Sequence, residues 1–359
     1  MSIKIGIVGT NFISDRLIDA VSVVPGIEAA AVFSRTQRKG EDFADRHGIE
    51  KSQVYTEYES FLESGIDAVY IATPIYAHKN QAIRAMEHGK HVLCEKIMAV
   101  NAGEVQEMIE CAAKNQVVLL EAMRPAFDPG FTKVKELLPK IGRIRRVTME
   151  YCQYSSRYDK FKQGEVLNAF NPELSNGAIM DIGVYSIYLI AMLFGEPKKV
   201  KAFSTTLSNG FEGDGIVLMQ YEDLIAEAIY SKIVESENPS IIVGEEGSIL
   251  IDHLGNPKSI ELRMRDGRTS YYLAENDWAQ STDSMEGISD NKTLEAADAG
   301  HTKLIGNMQY EVRIFTEMAA GREKENPYLE YSLHTVKIID EARAQNGIVF
   351  PADLLYNEE

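Results

Sequence analysis

"KIGIVGTNFIS", residues 4–14, is the stretch whose reading decides the fold. An apolar run passes into a glycine turn and then into helically spaced residues, as in the first strand, phosphate turn and first helix of a dinucleotide-binding unit. The usual G-x-G-x-x-G is here Gly9-Thr10-Asn11-Phe12-Ile13-Ser14, with only the first glycine kept. That glycine permits the tight turn, the second admits the pyrophosphate to the backbone, and the third lets helix and strand pack closely. Asn11, in the second place, tolerates positive φ better than most residues, and Ser14 keeps the third place small. The N–H groups opening the helix can still meet a phosphate. Such a turn also occurs where nothing binds, so the flanking sequence has to decide.

Downstream, strand-like and helix-like patterns alternate. "DRLIDAVSVV" is helical, "IEAAAVFS" extended, "RKGEDFADRHG" helical, "AVYIATP" extended, "HKNQAIRAMEHG" helical and "HVLCEK" extended. "AGEVQEMIECAAKNQ" and "VVLLEAM" add one more helix and strand, so the first domain is expected to span 1–123. This alternation predicts a parallel sheet with helices on both faces and a ligand crevice at the strands' carboxyl ends.

The character then changes. Over 124–359, "RIRRVTMEYCQYS", "KVKAFSTTLS", "GIVLMQYED", "LIAEAIYSKIV", "PSIIVG", "GSILIDH", "SIELRMRDG" and "SYYLAE" read as successive strands, broken by a helical region around 177–195. Consecutive strands predict an α+β domain with an antiparallel sheet. Residues 275–300 read as an acidic surface loop, followed by helices over "HTKLIGNMQYEVRIFTEMAA", with Leu304, Met308, Phe315 and Met318 near one face, and "LHTVKIIDEARAQNG".

Composition narrows the class. The formal charge of −17 opposes nucleic acid and anionic membranes, and "GRIRR" at 142–146 is too short to reverse that. The longest apolar tract, "GVYSIYLIAMLFG" at 183–195, is shorter than the roughly 20 residues of a membrane-spanning helix, so a buried helix is expected. The start lacks the pattern of a secretory signal. Cys94, Cys111 and Cys152 are odd in number and widely spaced, suggesting neither disulfides nor a metal site. A cytoplasmic protein is expected.

At the end of the second strand an NAD-preferring site normally carries an acid for the ribose hydroxyls. Here the chain reads Phe33-Ser34-Arg35-Thr36-Gln37-Arg38-Lys39. Ser34, Arg35 and Thr36 suit a 2′-phosphate, with Arg38 or Lys39 nearby, which favours NADP over NAD. A polar loop opening a helix would read the same way.

Together "GIVGTNFIS", "AVFSR", "IATPIYAH", "GKHVLCEKI", "EAMRPAFDP", "NGAIMDIGVY" and "GEEGSILID" occur in the order found in the Gfo/Idh/MocA oxidoreductases, which the chain resembles over nearly its whole length. The resemblance implies an N-terminal Rossmann domain and a C-terminal α+β domain with a large open antiparallel sheet. It is similar to the dihydrodiol dehydrogenase and sugar-oxidising branch, because Tyr185 stands where the inositol branch carries histidine. By the same resemblance Lys96 matches the lysine of the E-K-P motif beside the nicotinamide, and Asp181 and Tyr185 match the D-x-G-x-Y pair. On a helix these two, four residues apart, would share a face. Gly9, Thr10, Asn11, Phe12, Ile13, Ser34, Arg35, Thr36, Thr73, Pro74, His78, Glu95 and Lys96 are the implied cofactor contacts; His78 can equally fill a helix cap. Ile75 and Ile97 replace the common asparagine and proline, so no cis turn after Lys96 is assumed.

Oxidising a secondary alcohol sends hydride to nicotinamide and a proton to a base, and an ordinary tyrosine, at about 10, is a poor one. An ammonium beside it favours the phenolate. Tyr185 is therefore expected to carry the proton with Lys96 assisting, Lys96 itself being the other candidate; Asp181 binds a substrate hydroxyl or orients Lys96. Arg124, Arg157 and Tyr158 lie in segments that can reach substrate. The expected activity is NADP-preferring oxidoreduction of a sugar, polyol or vicinal diol, by a homodimer or homotetramer formed through the C-terminal sheet. The alternative is a catalytically silent nucleotide-binding sensor of the same fold.

Overall fold

The computed structural model describes residues 2–274, 280–281 and 306–356. The first half follows the expected alternation. It runs β1 (Ile3–Val8), α1 (Phe12–Val21), β2 (Ile27–Phe33), α2 (Gln37–His47), β3 (Val54–Tyr55), α3 (Tyr58–Leu62), β4 (Ala68–Ile71), α4 (His78–Glu87), β5 (His91–Glu95), α5 (Ala102–Asn115) and β6 (Leu119–Ala122). The six strands form a parallel sheet in the order β3-β2-β1-β4-β5-β6. Because β1 and β4 lie side by side while the chain between them runs out to the opposite edge, their carboxyl ends part around a crevice. The sheet is apolar because both faces are covered: Ile5, Ile7, Val8, Val69, Ile71, Val92 and Leu93 are all fully buried.

The second half continues with α6 (Pro129–Leu137), β7 (Ile144–Cys152), α7 (Ser156–Lys162), α8 (Val184–Phe194), β8 (Lys199–Thr206), β9 (Glu212–Gln220), β10 (Ile225–Ser231), β11 (Ser240–Gly244), β12 (Gly247–Ile251), β13 (Ser259–Met264), β14 (Thr269–Leu273) and β15 (Gln280–Ser281). Then come α9 (Met308–Ala319), α10 (Tyr328–Gln345) and α11 (Pro351–Tyr356). The nine strands pair in the order β15-β14-β13-β12-β11-β7-β10-β9-β8. The sheet is mixed rather than wholly antiparallel. β7 pairs parallel with β10, since the meander β8-β9-β10 brings its third strand up beside a β7 left long before in the chain. Apart from Gln280 and Ser281, the expected acidic loop at 275–300 lies outside the described residues, as do Leu304 and the start of the helix expected from 301.

The apolar helical tract runs continuously over residues 178–194, close to the region expected around 177–195. With the short turn before it, the stretch Pro172–Phe194 is long and apolar enough to cross a membrane, but its most apolar 18-residue window is 83% buried inside the fold. It packs against the sheet on one side and α10 on the other. Within it, residues Ile179–Gly183 form a π-turn, a distortion that often re-aims side chains at functional sites.

Helix α10 joins the two halves. Asp340 accepts from the backbone N–H of Ala102 at 2.8 Å and Arg343 donates to the carbonyl of Val100 at 3.1 Å. On the other side, Gln345 bonds Ala202 N–H at 3.1 Å and the Val200 carbonyl at 3.0 Å, both on β8.

Candidate active site

The opening turn is built differently from the expectation. Gly9 has φ +101°, and a Cβ there would lie 2.9 Å from the Ala72 carbonyl oxygen, so this position requires glycine. Asn11, by contrast, is extended at φ −92°, and it caps α1. Its Oδ1 accepts from Ile13 N–H at 3.1 Å and Ser14 N–H at 3.3 Å, and its Nδ2 donates to Ala72 O at 2.7 Å. The asparagine does not need the left-handed freedom of the missing glycine; it ties the turn to the end of β4 and satisfies the helix terminus. The residues fit a dinucleotide: the tight turn at Gly9 is kept, and Asn11, Phe12, Ile13, Thr73, Pro74, Glu95 and Lys96 line one crevice at the strand ends. Thr10 is half-buried in the turn.

Not every expected contact reaches that crevice. Ser34 is buried beneath the end of β2, while Arg35 and Thr36 are exposed on its rim, away from the crevice lining. Arg35, Arg38 and Lys39 make no ion pair among the described residues. His78 lines the crevice but is only 1% exposed, and its two ring nitrogens meet the carbonyls of Ile97, at 3.1 Å, and Thr73, at 2.8 Å. Burial lowers its pKa. His78 thus ties the loop after β4 to the segment after β5. Glu95 is also built in: its carboxylate accepts from Tyr70 OH at 2.5 Å and from Lys96 N–H at 3.2 Å. Burial raises its pKa, against the hydrogen bond from Tyr70.

Lys96, Asp181 and Tyr185 meet in the crevice. Lys96 Nζ donates to Asp181 Oδ1 and to the Asp181 carbonyl, each at 2.6 Å, and stands 4.9 Å from the Tyr185 ring centroid. The Lys96–Ile97 peptide is cis although Ile97 is not proline. Asp181 comes from the π-turn and Tyr185 from the first turn of α8, so they share the crevice through that distortion rather than through ideal helical spacing. The phenol oxygen of Tyr185 is met by a residue outside the motif: Arg124 Nη2 donates to it at 3.4 Å, while Arg124 Nη1 donates to Asn307 Oδ1 at 3.2 Å.

The electrostatics follow from these pairings. Burial opposes the Lys96 charge, but Asp181 outweighs it and raises the ammonium above the ordinary lysine value. Burial likewise opposes ionisation of Asp181, yet Lys96 and Lys232 hold it far below the usual carboxylate range. Tyr185, followed by other groups, holds the Arg124 guanidinium further toward its charged form. Tyr151, whose ring centroid is 5.5 Å from that of Tyr185, is pushed up to about 12 by burial. Arg124, which the sequence places only within reach of substrate, turns out to meet the Tyr185 hydroxyl. Lys232 is not singled out by any motif, although a lysine inside the apolar run "AIYSKIV" is itself a signal of a paired buried charge. Arg157 lines the same crevice, whereas Tyr158 stacks on Phe161 and Phe170 outside it.

The family description "Oxidoreductase family, NAD-binding Rossmann fold" matches residues 3–123, and the GFO/IDH/MocA C-terminal domain matches 131–250. The chain belongs to the Gfo/Idh/MocA oxidoreductases. It is 43% identical, over 98% of its length and 99% of the relative's, to the scyllo-inositol 2-dehydrogenase (NADP(+)) IolU of Bacillus subtilis. It is 28% identical to the trans-1,2-dihydrobenzene-1,2-diol dehydrogenase of Xenopus tropicalis, covering 98% of this chain and 100% of that one. The 3-ketoreductase KijD10 of Actinomadura kijaniata, in complex with NADP and TDP-benzene, shares the fold at TM-score 0.76 and 20% identity, over 96% of this chain and 98% of KijD10. As a member of this family the protein is an NAD(P)-dependent dehydrogenase or reductase acting on CH–OH groups.

Proposed function

We propose that the protein interconverts a secondary carbinol and its ketone on a sugar, polyol or vicinal diol, preferring NADP to NAD. The observation that carries this reading is the Lys96 ammonium held against the Tyr185 ring by Asp181 at the mouth of the parallel sheet. When bound, the nicotinamide supplies the hydride acceptor or donor. Tyr185 carries the hydroxyl proton, and Lys96 over its ring and Arg124 at its oxygen stabilise the negative charge that develops there as the proton moves. Lys96 is the poorer base, since Asp181 strengthens its hold on its own proton. Charged Lys96 instead hydrogen-bonds the reacting oxygen. Preference for NADP rests on Arg35 and Thr36, with no acid at the end of β2, and agrees with the cofactor in the name of the Bacillus subtilis relative. That relative also makes scyllo-inositol the first substrate to test. Self-association rests on the outer face of the mixed sheet, where Phe203 is 66% exposed, and sedimentation velocity tests it.

The deciding experiment is calorimetric titration with NADPH and NADH, followed by NADP-linked turnover of scyllo-inositol and a panel of sugars and diols. Tighter NADPH binding with turnover supports the reading. Binding without turnover on any member of the panel would favour a sensor.

A further inference from the structure

Asp181 has two carboxylate oxygens, and each receives an ammonium. Lys96 takes Oδ1, while Lys232, just beyond the end of β10, takes Oδ2 at 2.7 Å. The two lysines differ in their own support. Lys96 extends from the first domain and has Asp181 as its only hydrogen-bond partner for Nζ among the described residues. Lys232 is independently fixed: its side chain is 4% exposed, Nζ donates to the Ala169 carbonyl at 3.0 Å, and it lies 5.0 Å and 5.5 Å from the ring centroids of Phe170 and Phe211. A buried ammonium is costly unless paired and hydrogen-bonded, and this one has a carboxylate, a carbonyl and two ring faces around it.

We infer that Lys232 is a positioning residue: it anchors the Asp181 carboxylate to the second domain so that Asp181 can hold Lys96 of the first domain against Tyr185. Without Lys232, Asp181 Oδ2 loses its partner and the carboxylate is free to rotate about its side-chain bond, leaving the Lys96 ammonium held by the Asp181 backbone carbonyl alone. Lys232 also offsets the Asp181 charge. Its removal leaves one carboxylate against one ammonium, so the cationic field at the phenol weakens. Small displacements of a catalytic group are costly, on the order of 10²-fold in rate for about 1 Å.

This inference rests on the proposed roles of Lys96 and Tyr185, and its test separates the two. Lys232→Met and Lys232→Arg are prepared in the full chain, and NADPH binding, thermal unfolding and scyllo-inositol kinetics are measured. The lysine ammonium of Lys96, assigned by its loss in Lys96→Met, is followed by nitrogen-15 NMR. Lys232→Met is expected to bind NADPH within about twofold of the parent, lose about 10²-fold in kcat with a much smaller change in KM, and speed hydrogen exchange at Lys96. Lys232→Arg, which keeps the charge and the donor, is expected to recover most of both losses and controls for misfolding. An unchanged Lys96 resonance in Lys232→Met, or activity lost only in proportion to unfolded protein, overturns the inference. If the parent turns over no substrate while its Lys96 resonance still depends on Lys232, the proposed reaction falls and the positioning role stands.

Discussion

The ammonium of Lys96 faces the ring of Tyr185, 4.9 Å from its centroid, while the hydroxyl of the same tyrosine is approached by Arg124 at 3.4 Å. The phenol is therefore approached by two cations from different segments, one over its ring and one at its oxygen. Lys96 follows a strand of the first sheet, and Arg124 opens the passage into the second domain.

Tyr185→Phe removes the hydroxyl but keeps the ring packed on Tyr151 and under Lys96. Turnover should fall by about 10²- to 10⁴-fold, with NADPH affinity, measured by fluorescence titration, nearly unchanged. Full turnover would remove Tyr185 as the proton carrier.

Arg35→Ala tests the choice of cofactor. Losing one charge-assisted bond to a 2′-phosphate should weaken NADPH by roughly tenfold to a hundredfold and leave NADH binding close to its starting value. Equal losses in calorimetry would rule out a 2′-phosphate contact.

Asn11→Ala addresses the altered glycine turn. The variant loses the cap on α1 and the bond to Ala72, and should lose about 1 kcal/mol in urea unfolding. If Asn11 served only as a substitute for a flexible glycine, Asn11→Gly would be at least as stable as the parent; the cap makes it less stable.

Glu121 gives the protein a pH dependence away from the catalytic pair. Burial raises its carboxyl to about 7, although Ser332 OH and Met98 N–H donate to it at 2.5 Å and 2.8 Å. Between an unfolded value near 4.5 and about 7 the native state retains a proton that the unfolded chain has released, so stability falls as pH rises through this window. The loss amounts to up to about 3 kcal/mol by pH 8. Glu121→Gln keeps an acceptor for Met98 and should flatten the difference between urea unfolding at pH 5 and pH 8. A slope as steep as that of the parent would assign the effect to other carboxyls, with Glu212, also raised to about 7 by burial, the next to replace.

What the sequence made legible was periodic or local. Short continuous apolar runs alternating with helices of period 3.6 revealed the first sheet and its helices, and short motifs pointed to Lys96, Asp181 and Tyr185. β3 has two residues and α3 five, too few to carry a period. The parallel pairing of β7 with β10 depends on how a distant meander docks, which the residues of either strand do not encode. Likewise a lysine in an apolar run signals a buried pair, but only the fold supplies Asp181 as the partner of Lys232. Asn11 shows the opposite limit: its position in the motif was plain, but its side-chain partner, the Ala72 carbonyl, lies at the end of another strand.

Helix α10 has a consequence for how the chain can be divided. It packs on α5 and β6 of the first domain as well as on α8 and β8 of the second, and Asp340, Arg343 and Gln345 bond to both. The nucleotide-binding half, expressed alone, would therefore show water an apolar flank that only the last quarter of the chain covers. The ribosome must finish nearly the whole polypeptide before its first domain is fully clothed.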